Sequence, residues 1–257
     1  MKHARILSLS LVLFVSACGE DNPAGPTLVA SPPTSQIITG NLEPAATAGF
    51  FFIVAEQAQV RISLASLGLN PDGSAVSADM TLVFGTPVGT DCTPQTTTGA
   101  SPALTAHLVQ VVNTPGTYCV AVTDPGNLQN AVELAIHVRI VPFTAPTSTI
   151  DTAGTDTFTT NLSAGGWMSR SVRASQAGTI SLRLESASPP DNIVLGLGVG
   201  VPRSDGTGCL LTQAVSRSPG GSPQIALQAD AGIFCARIYD VGNITTPITF
   251  TASVVKP

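Results

Sequence analysis

Apolar and polar side chains alternate along most of the chain. Val60, Ile62 and Leu64 fall on one side of a would-be strand, Arg61 and Ser63 on the other. Ile180, Leu182 and Leu184 stand against Ser181, Arg183 and Glu185 in the same way. Later runs repeat the theme: Val132, Leu134, Ile136, Val138 and Ile140 oppose Glu133, His137 and Arg139, and Ile248, Phe250, Ala252 and Val254 oppose Thr249, Thr251 and Ser253. A period of two with one polar side predicts antiparallel sheets packed on one face. Gly, Pro, Asn and Asp punctuate these runs, giving seven or eight strands in each half of the chain and an all-β, jelly-roll-like sandwich fold. On this reading His137, between Glu133 and Arg139, lies on a solvated face. One run, Gly49 to Val54, is apolar on both sides, which fits a fully buried strand or a contact between domains.

The halves are copies. Gly116-Thr117-Tyr118-Cys119-Val120-Ala121-Val122-Thr123-Asp124-Pro125-Gly126-Asn127-Leu128 recurs, at a constant offset of 116 residues, as Gly232-Ile233-Phe234-Cys235-Ala236-Arg237-Ile238-Tyr239-Asp240-Val241-Gly242-Asn243-Ile244. A match of that length marks an internal repeat. Further echoes are Asn41-Leu42 with Asn161-Leu162, Gly49-Phe50 with Gly166-Trp167, Ile62-Ser63-Leu64 with Ile180-Ser181-Leu182, and Pro71-Asp72 with Pro190-Asp191. The repeat predicts tandem domains at 36–143 and 151–257, joined by a short Thr/Pro/Ser link. Each has its own strands and its own cysteine pair, so each is expected to fold alone.

The chain begins differently. Lys2, His3 and Arg5 precede an apolar run from Ile6 to Val15, too short to cross a bilayer as a helix. Val15-Ser16-Ala17-Cys18 then resembles the lipobox of bacterial lipoproteins. The resemblance implies a signal peptide over 1–17, cleaved before Cys18, whose sulfur and amine take acyl chains such as palmitate. Two or three acyl chains anchor a protein durably where one does not. Gly19 in place of Asp points to the outer membrane of the cell envelope, and the Pro-rich stretch to residue 35 reads as a flexible tether. Without Lys2 and Arg5 the chain keeps nine basic residues against sixteen acidic ones. That balance argues against nucleic-acid partners and against charge-driven membrane binding. Charged residues are only 11% of the chain, which also disfavours helices.

In the second copy Ala177-Gly178-Thr179-Ile180-Ser181-Leu182, then Asp191-Asn192-Ile193-Val194-Leu195, then Gly232-Ile233-Phe234-Cys235-Ala236-Arg237-Ile238 resemble the bacterial pre-peptidase C-terminal (PPC-type) domain, a resemblance that covers each copy nearly end to end. That family implies a small jelly-roll sandwich without activity of its own. A cysteine beside the aromatic departs from its pattern.

Cys92 and Cys119 are 27 residues apart, Cys209 and Cys235 26. Equal spacing in an oxidising compartment predicts one disulfide per copy, from three possible connectivities. Zinc sites use cysteines two to four residues apart, a spacing these four lack. The repeated Asp-x-Gly-Asn loops read as Asx turns. Their alternative is calcium, with Asp124, Asn127, Asp240 and Asn243 as oxygen donors; no other cofactor or metal is implied. Besides His3, the histidines are His107, which answers to Pro223 or a neighbour, and His137, which answers to Ser253. The copy lacking both implies that neither is catalytic, and no Gly-x-Ser-x-Gly occurs. Tyr118 is expected inward; Trp167 and Tyr239 could form a sugar-stacking patch. The expectation is a non-catalytic, lipid-anchored envelope protein that binds or supports an unknown protein or glycan. A carbohydrate- or matrix-binding module is the alternative, and a hydrolase with an unfamiliar site the third reading.

Overall fold

The computed structural model describes residues 31–143 and 153–257. The signal segment, Cys18, most of the tether and the link between the copies lie outside the described residues. Sixteen strands follow one another: β1 (Thr34–Leu42), β2 (Thr47–Val54), β3 (Ala58–Ser66), β4 (Met80–Val88), β5 (Asp91–Ala100), β6 (Leu108–Val112), β7 (Gly116–Thr123) and β8 (Val132–Pro142), then β9 (Gly154–Leu162), β10 (Trp167–Ala174), β11 (Gly178–Ser188), β12 (Leu195–Pro202), β13 (Cys209–Arg217), β14 (Ile225–Ala229), β15 (Gly232–Tyr239) and β16 (Ile248–Lys256). They form four antiparallel sheets, ordered β1-β8-β3-β6, β2-β7-β4-β5, β9-β16-β11-β14 and β10-β15-β12-β13. Adding eight to each number of the first pair gives the second. The two halves are therefore the same eight-stranded jelly-roll sandwich, strand for strand.

Strand pairing fixes which residues are equivalent. A β-bulge follows Leu64 on β3 and Leu184 on β11, so Leu64 matches Leu184, two residues beyond the motif match with Leu182. On β2, Thr47 pairs with Thr123 as Trp167 pairs with Tyr239 on β10. Trp167 therefore answers to Thr47, and Phe50 to Arg170. The shifts arise because side-chain identity drifts on solvent faces, whereas bulges and ladders are held by backbone geometry.

Each sandwich packs its alternating apolar residues between its sheets. Val60, Ile62, Leu64, Leu82, Phe84, Val120, Leu134 and Ile136 fill the first core, with Phe52 and Phe84 near Tyr118. Tyr118 is inward as expected, its ring 5.4 Å from Phe84. The Gly49–Val54 run is neither fully buried nor a domain contact. Phe52 and Val54 enter the core, Phe50 packs against it, and Phe51 and Ile53 face outward.

The sandwiches share core residues. Ala65, Leu104 and Ala135 of the first copy are buried in the second copy's cluster with Phe234, Leu210 and Ala229, and Ile37 packs against it. The outer face of sheet β1-β8-β3-β6 lies across the margin where β13 and β14, the outermost strands of the second sandwich, come together. A one-residue parallel bridge joins Leu104 to Ala229. Polar bonds ring the contact. Ser66 Oγ donates to the Leu211 carbonyl at 2.7 Å, and Thr212 Oγ1 to the Ala65 carbonyl at 2.5 Å. The Arg61 guanidinium donates to both carboxylate oxygens of Asp230, which also accepts from Ala106 N. His137, expected on a solvated face, is buried in this contact with its ring edge-on to Phe234 at 5.9 Å. Alternation marks the core face of β8, and the neighbouring sandwich covers the face opposite it.

Candidate functional site

The predicted site residues fall into four places. Both disulfides form as paired within copies, Cys92–Cys119 and Cys209–Cys235, with Cα atoms 5.6 and 5.9 Å apart. Each lies over a strand whose neighbouring glycine makes room. A Cβ on Gly85 would collide with the Thr93 carbonyl and crowd Cys92 Sγ, and one on Gly200 would collide with the Leu210 carbonyl. Only glycine fits beneath the crossing chain. The glycines were visible in the sequence, but their reason was not.

The Asp-x-Gly-Asn loops close on their own backbone. Asp124 Oδ2 accepts from Ala45 N at 2.8 Å, while its other oxygen accepts from Gly126, Asn127 and Leu128. Asp240 does the same with Gly165, Gly242, Asn243 and Ile244. Asn127 and Asn243 donate their amides to the carbonyls of Asp79 and Val194. Burial pushes both carboxyls up, and the four N–H donors to each outweigh it, leaving both below the usual carboxylate range. Donors surround the oxygens that a calcium ion would need free, and the asparagine side chains turn their amide nitrogens, not their oxygens, to the nearby carbonyls. Among the described residues no three His, Cys, Asp or Glu side chains converge.

The histidines sit apart. His107 Nδ1 accepts the N–H of Leu64 at the bulge, 3.2 Å away, and the His107 backbone N–H donates to the Ile62 carbonyl. In the second copy Gln224 Oε1 accepts the equivalent N–H, from Leu184, at 2.8 Å, and Gln224 N bonds the Leu182 carbonyl. Gln224, a neighbour of Pro223, is thus the counterpart of His107, and both serve as an acceptor for the N–H freed by the bulge. Burial lowers the His107 pKa, which suits an accepting, neutral ring. His137 has its Nε2 buried without a partner among the described residues, as does the adjacent Ser63 Oγ. Burial, then Arg139, lowers its pKa to about 4, against a weaker pull from Asp230. Neither ring has an acid and a nucleophile in hydrogen-bond reach.

Two concavities accompany these residues: an open one of about 540 Å³ on the first copy, lined by Asp79, Ser101, Ala103 and His107 among others, and a cleft of about 280 Å³ between the copies, lined by Leu67, Gly68, Leu69, Glu133, Arg203, Leu211 and Arg237 among others. Arg203 pairs with Glu133 across it. Beside the cleft the Arg237 guanidinium lies 4.8 Å from the Trp167 ring centre and 5.4 Å from that of Tyr239. Tyr239 is buried, seated on Gly196, and donates its hydroxyl to the Gly73 carbonyl of the first copy. Trp167 is half exposed. Of the predicted aromatic patch, only Trp167 is left to offer a ring to a ligand, and it is stacked with Arg237.

No family model matches the chain, and no curated protein matches it. Among solved structures it is similar to tripeptidyl peptidase 2, at 8% identity over 86% of this chain and 23% of that one, with a TM-score of 0.29. It is also similar to the PBSX exported protein XepA, at 11% identity over 86% of both chains and a TM-score of 0.29. A serum fucolectin of the striped bass, Morone saxatilis, follows at 8% identity over 85% of both chains and a TM-score of 0.24. The chain spans about a quarter of the length of the peptidase chain it matches. Likeness at these scores says nothing of activity or ligand.

Proposed function

We propose that this chain is a non-catalytic, lipid-anchored protein of the bacterial cell envelope, whose two PPC-like sandwiches act together as one binding or supporting module. The observation that carries this reading is that both histidines and both Asp-x-Gly-Asn carboxylates are built into the fold. His107 has Gln224 as its structural twin. His137 is sealed between the copies, and the Asp124 and Asp240 carboxylates are spent on backbone N–H groups. A hydrolase would need a held base beside a free nucleophile or water. The anchor rests on the Val15-Ser16-Ala17-Cys18 match. Metabolic labelling with an alkyne fatty acid should mark the wild type and leave Cys18→Ser unmarked; equal labelling of both would remove the anchor.

One observation favours a glycan-binding reading as second choice. Trp167 presents a half-exposed ring beside Arg237 and the interdomain cleft. Sugar stacking would require that ring. Binding on a glycan array that survives Trp167→Ala undiminished would sink this version.

A further inference from the structure

The free end of the first sandwich, its tip, exposes five large hydrophobics, where the matching end of its twin exposes two, Ile233 and Val255. This is the end formed by the start of β1, the close of β2, the β4–β5 and β6–β7 turns and the close of β8. Ile53 is 71% exposed there, Val88 64%, Val111 59%, Phe143 55% and Phe51 44%. The opposite end of this sandwich has only Leu69 exposed among its large hydrophobics, amid Glu43, Asp72 and Asp79.

The fold does not require these residues. Strand pairing places Ser171 at the position of Phe51, Arg173 at Ile53, Gln228 at Val111 and Arg203 at Val88. Four apolar positions in one copy are polar in the other, on the same ladders. Leaving such side chains in water forgoes their burial, so a cluster of them marks a contact surface.

Two observations name the partner. First, the chain enters β1 at Thr34 on this same end, sixteen residues after Cys18. Covalent geometry lets sixteen residues span at most roughly 53–58 Å, so this end stays within that reach of an acylated Cys18. Second, charge at the tip is sparse: its one cation, Arg139 opposite Ser35, is half-buried, and its acids are Glu56 and Asp91. That chemistry suits the interface of an uncharged lipid bilayer, not an acidic or basic macromolecule. A second copy of the chain is a poorer fit. The outer face of β1-β8-β3-β6 is already occupied, and the equivalent face of the second sandwich presents Arg183, Glu185 and Thr251.

We propose that this tip seats the first sandwich on the lipid surface, through Phe51, Ile53, Val88, Val111 and Phe143. The inference rests on the anchored-lipoprotein reading for its setting, but it makes a claim of its own, testable without acyl chains. The probe is the mature chain with Cys18→Ser, exported behind an ordinary cleavable secretory signal, mixed with phosphatidylcholine vesicles in a flotation assay. It should float weakly. The triple variant Phe51→Ser, Ile53→Ser, Val111→Gln should lower the partition coefficient at least tenfold, with circular dichroism and melting unchanged. Because apolar contact drives the binding, raising salt from 50 to 500 mM should leave it within twofold. Trp167→Ser, on the other copy, should have no effect.

Flotation equal in the parent and the triple variant would overturn the proposal, and so would no flotation of the parent at all. Concentration-dependent dimerisation of the parent, abolished by the triple variant and without vesicle binding, would reassign the tip to self-association. The anchor is judged separately by acyl labelling of Cys18, so tip and anchor can fail independently.

Discussion

The same sheet face has opposite fates in the two copies. On the first sandwich the outer side of β3 and β8 carries Ser63, Ala65, Ala135 and His137, all buried under the second sandwich. Ladder equivalence puts Arg183, Glu185, Thr251 and Ser253 at those positions in the second, where Ser253 is buried and the other three are partly exposed. There Arg183 pairs with Glu185, and Arg183 also bonds the Gly221 carbonyl at the surface. Gly221 is itself the counterpart of Leu104, which the first copy inserts into its neighbour's core. The backbone ladder does not distinguish the two faces. Small and apolar residues mark the face that is covered, and a charge pair marks the face that is wet. A sandwich fold thus tolerates either outer surface, and the choice records what sits on it.

The strongest way to break the comparison is to exchange the two faces. Ala65→Glu writes the residue of the wet face into the covered one, where no cation stands ready. An unpaired buried charge costs about 3 to 5 kcal/mol, so denaturant unfolding of the full chain should show at least that loss. The reciprocal Glu185→Ala, on a surface pair, should leave the unfolding midpoint nearly unchanged. Comparable losses from both would mean that the faces do not differ as described.

The disulfides sharpen the contrast next. Loops of 27 and 26 residues give each bond about 3.5 kcal/mol in the chain-entropy model. Replacing either pair by serines should therefore cost similar amounts. Their accessibility differs, because Cys209 and Cys235 are both buried near the interdomain cleft whereas Cys92 is partly exposed. Limited dithiothreitol followed by thiol alkylation and peptide mapping should open Cys92–Cys119 first. The reverse order would contradict the covering of the second copy.

A smaller effect comes from protons. The pKa of His137 in the folded chain is lowered to about 4, below its value in an unfolded chain. The unfolded state therefore binds more protons as pH falls, and the stability given by the neutral ring is full above about pH 6.5 and lost progressively toward pH 4. Between pH 7.5 and pH 5 the loss should be about 2 kcal/mol. His137→Ser copies the second sandwich's own residue and should flatten that slope, whatever its effect at neutral pH. An unchanged slope would mean that His137 is not sealed at the contact.

Smallest of all should be His107→Gln, which grafts the second copy's acceptor onto the first bulge. Its melting temperature should move by no more than about 2 °C in the full chain, and any ligand binding should persist.

Much of this was legible in the residues. Alternation located the strands, the shared Gly-aromatic-Cys stretch located the repeat, and equal cysteine spacing gave both disulfides. The Asp-x-Gly-Asn loops read as turns, and each carboxylate indeed caps its own loop. What alternation cannot tell is whether a polar-looking face meets water or another domain. His137 among Glu133 and Arg139 looks solvated, because one histidine and two small neighbours differ little from a surface. Leu104 stands in a loop between strands, where no period applies. The interface was hidden for that reason, and with it the cleft. The Phe51 and Ile53 side chains misled in the opposite sense, since an apolar run suggests burial and here it meets solvent.

The central claim is that the second sandwich completes its core with residues of the first. Sequence alone predicts an autonomous second domain, so the two accounts part at one experiment: calorimetric melting of residues 153–257, disulfide intact, beside the full chain. Without Ala65, Leu104 and Ala135 against it, the margin between β13 and β14 is open to water. The fragment should melt broadly, or at least 10 °C below the full chain, which should itself show a single transition. A sharp melt of the fragment at the full chain's temperature would show that the second core is complete by itself and that the contact is incidental.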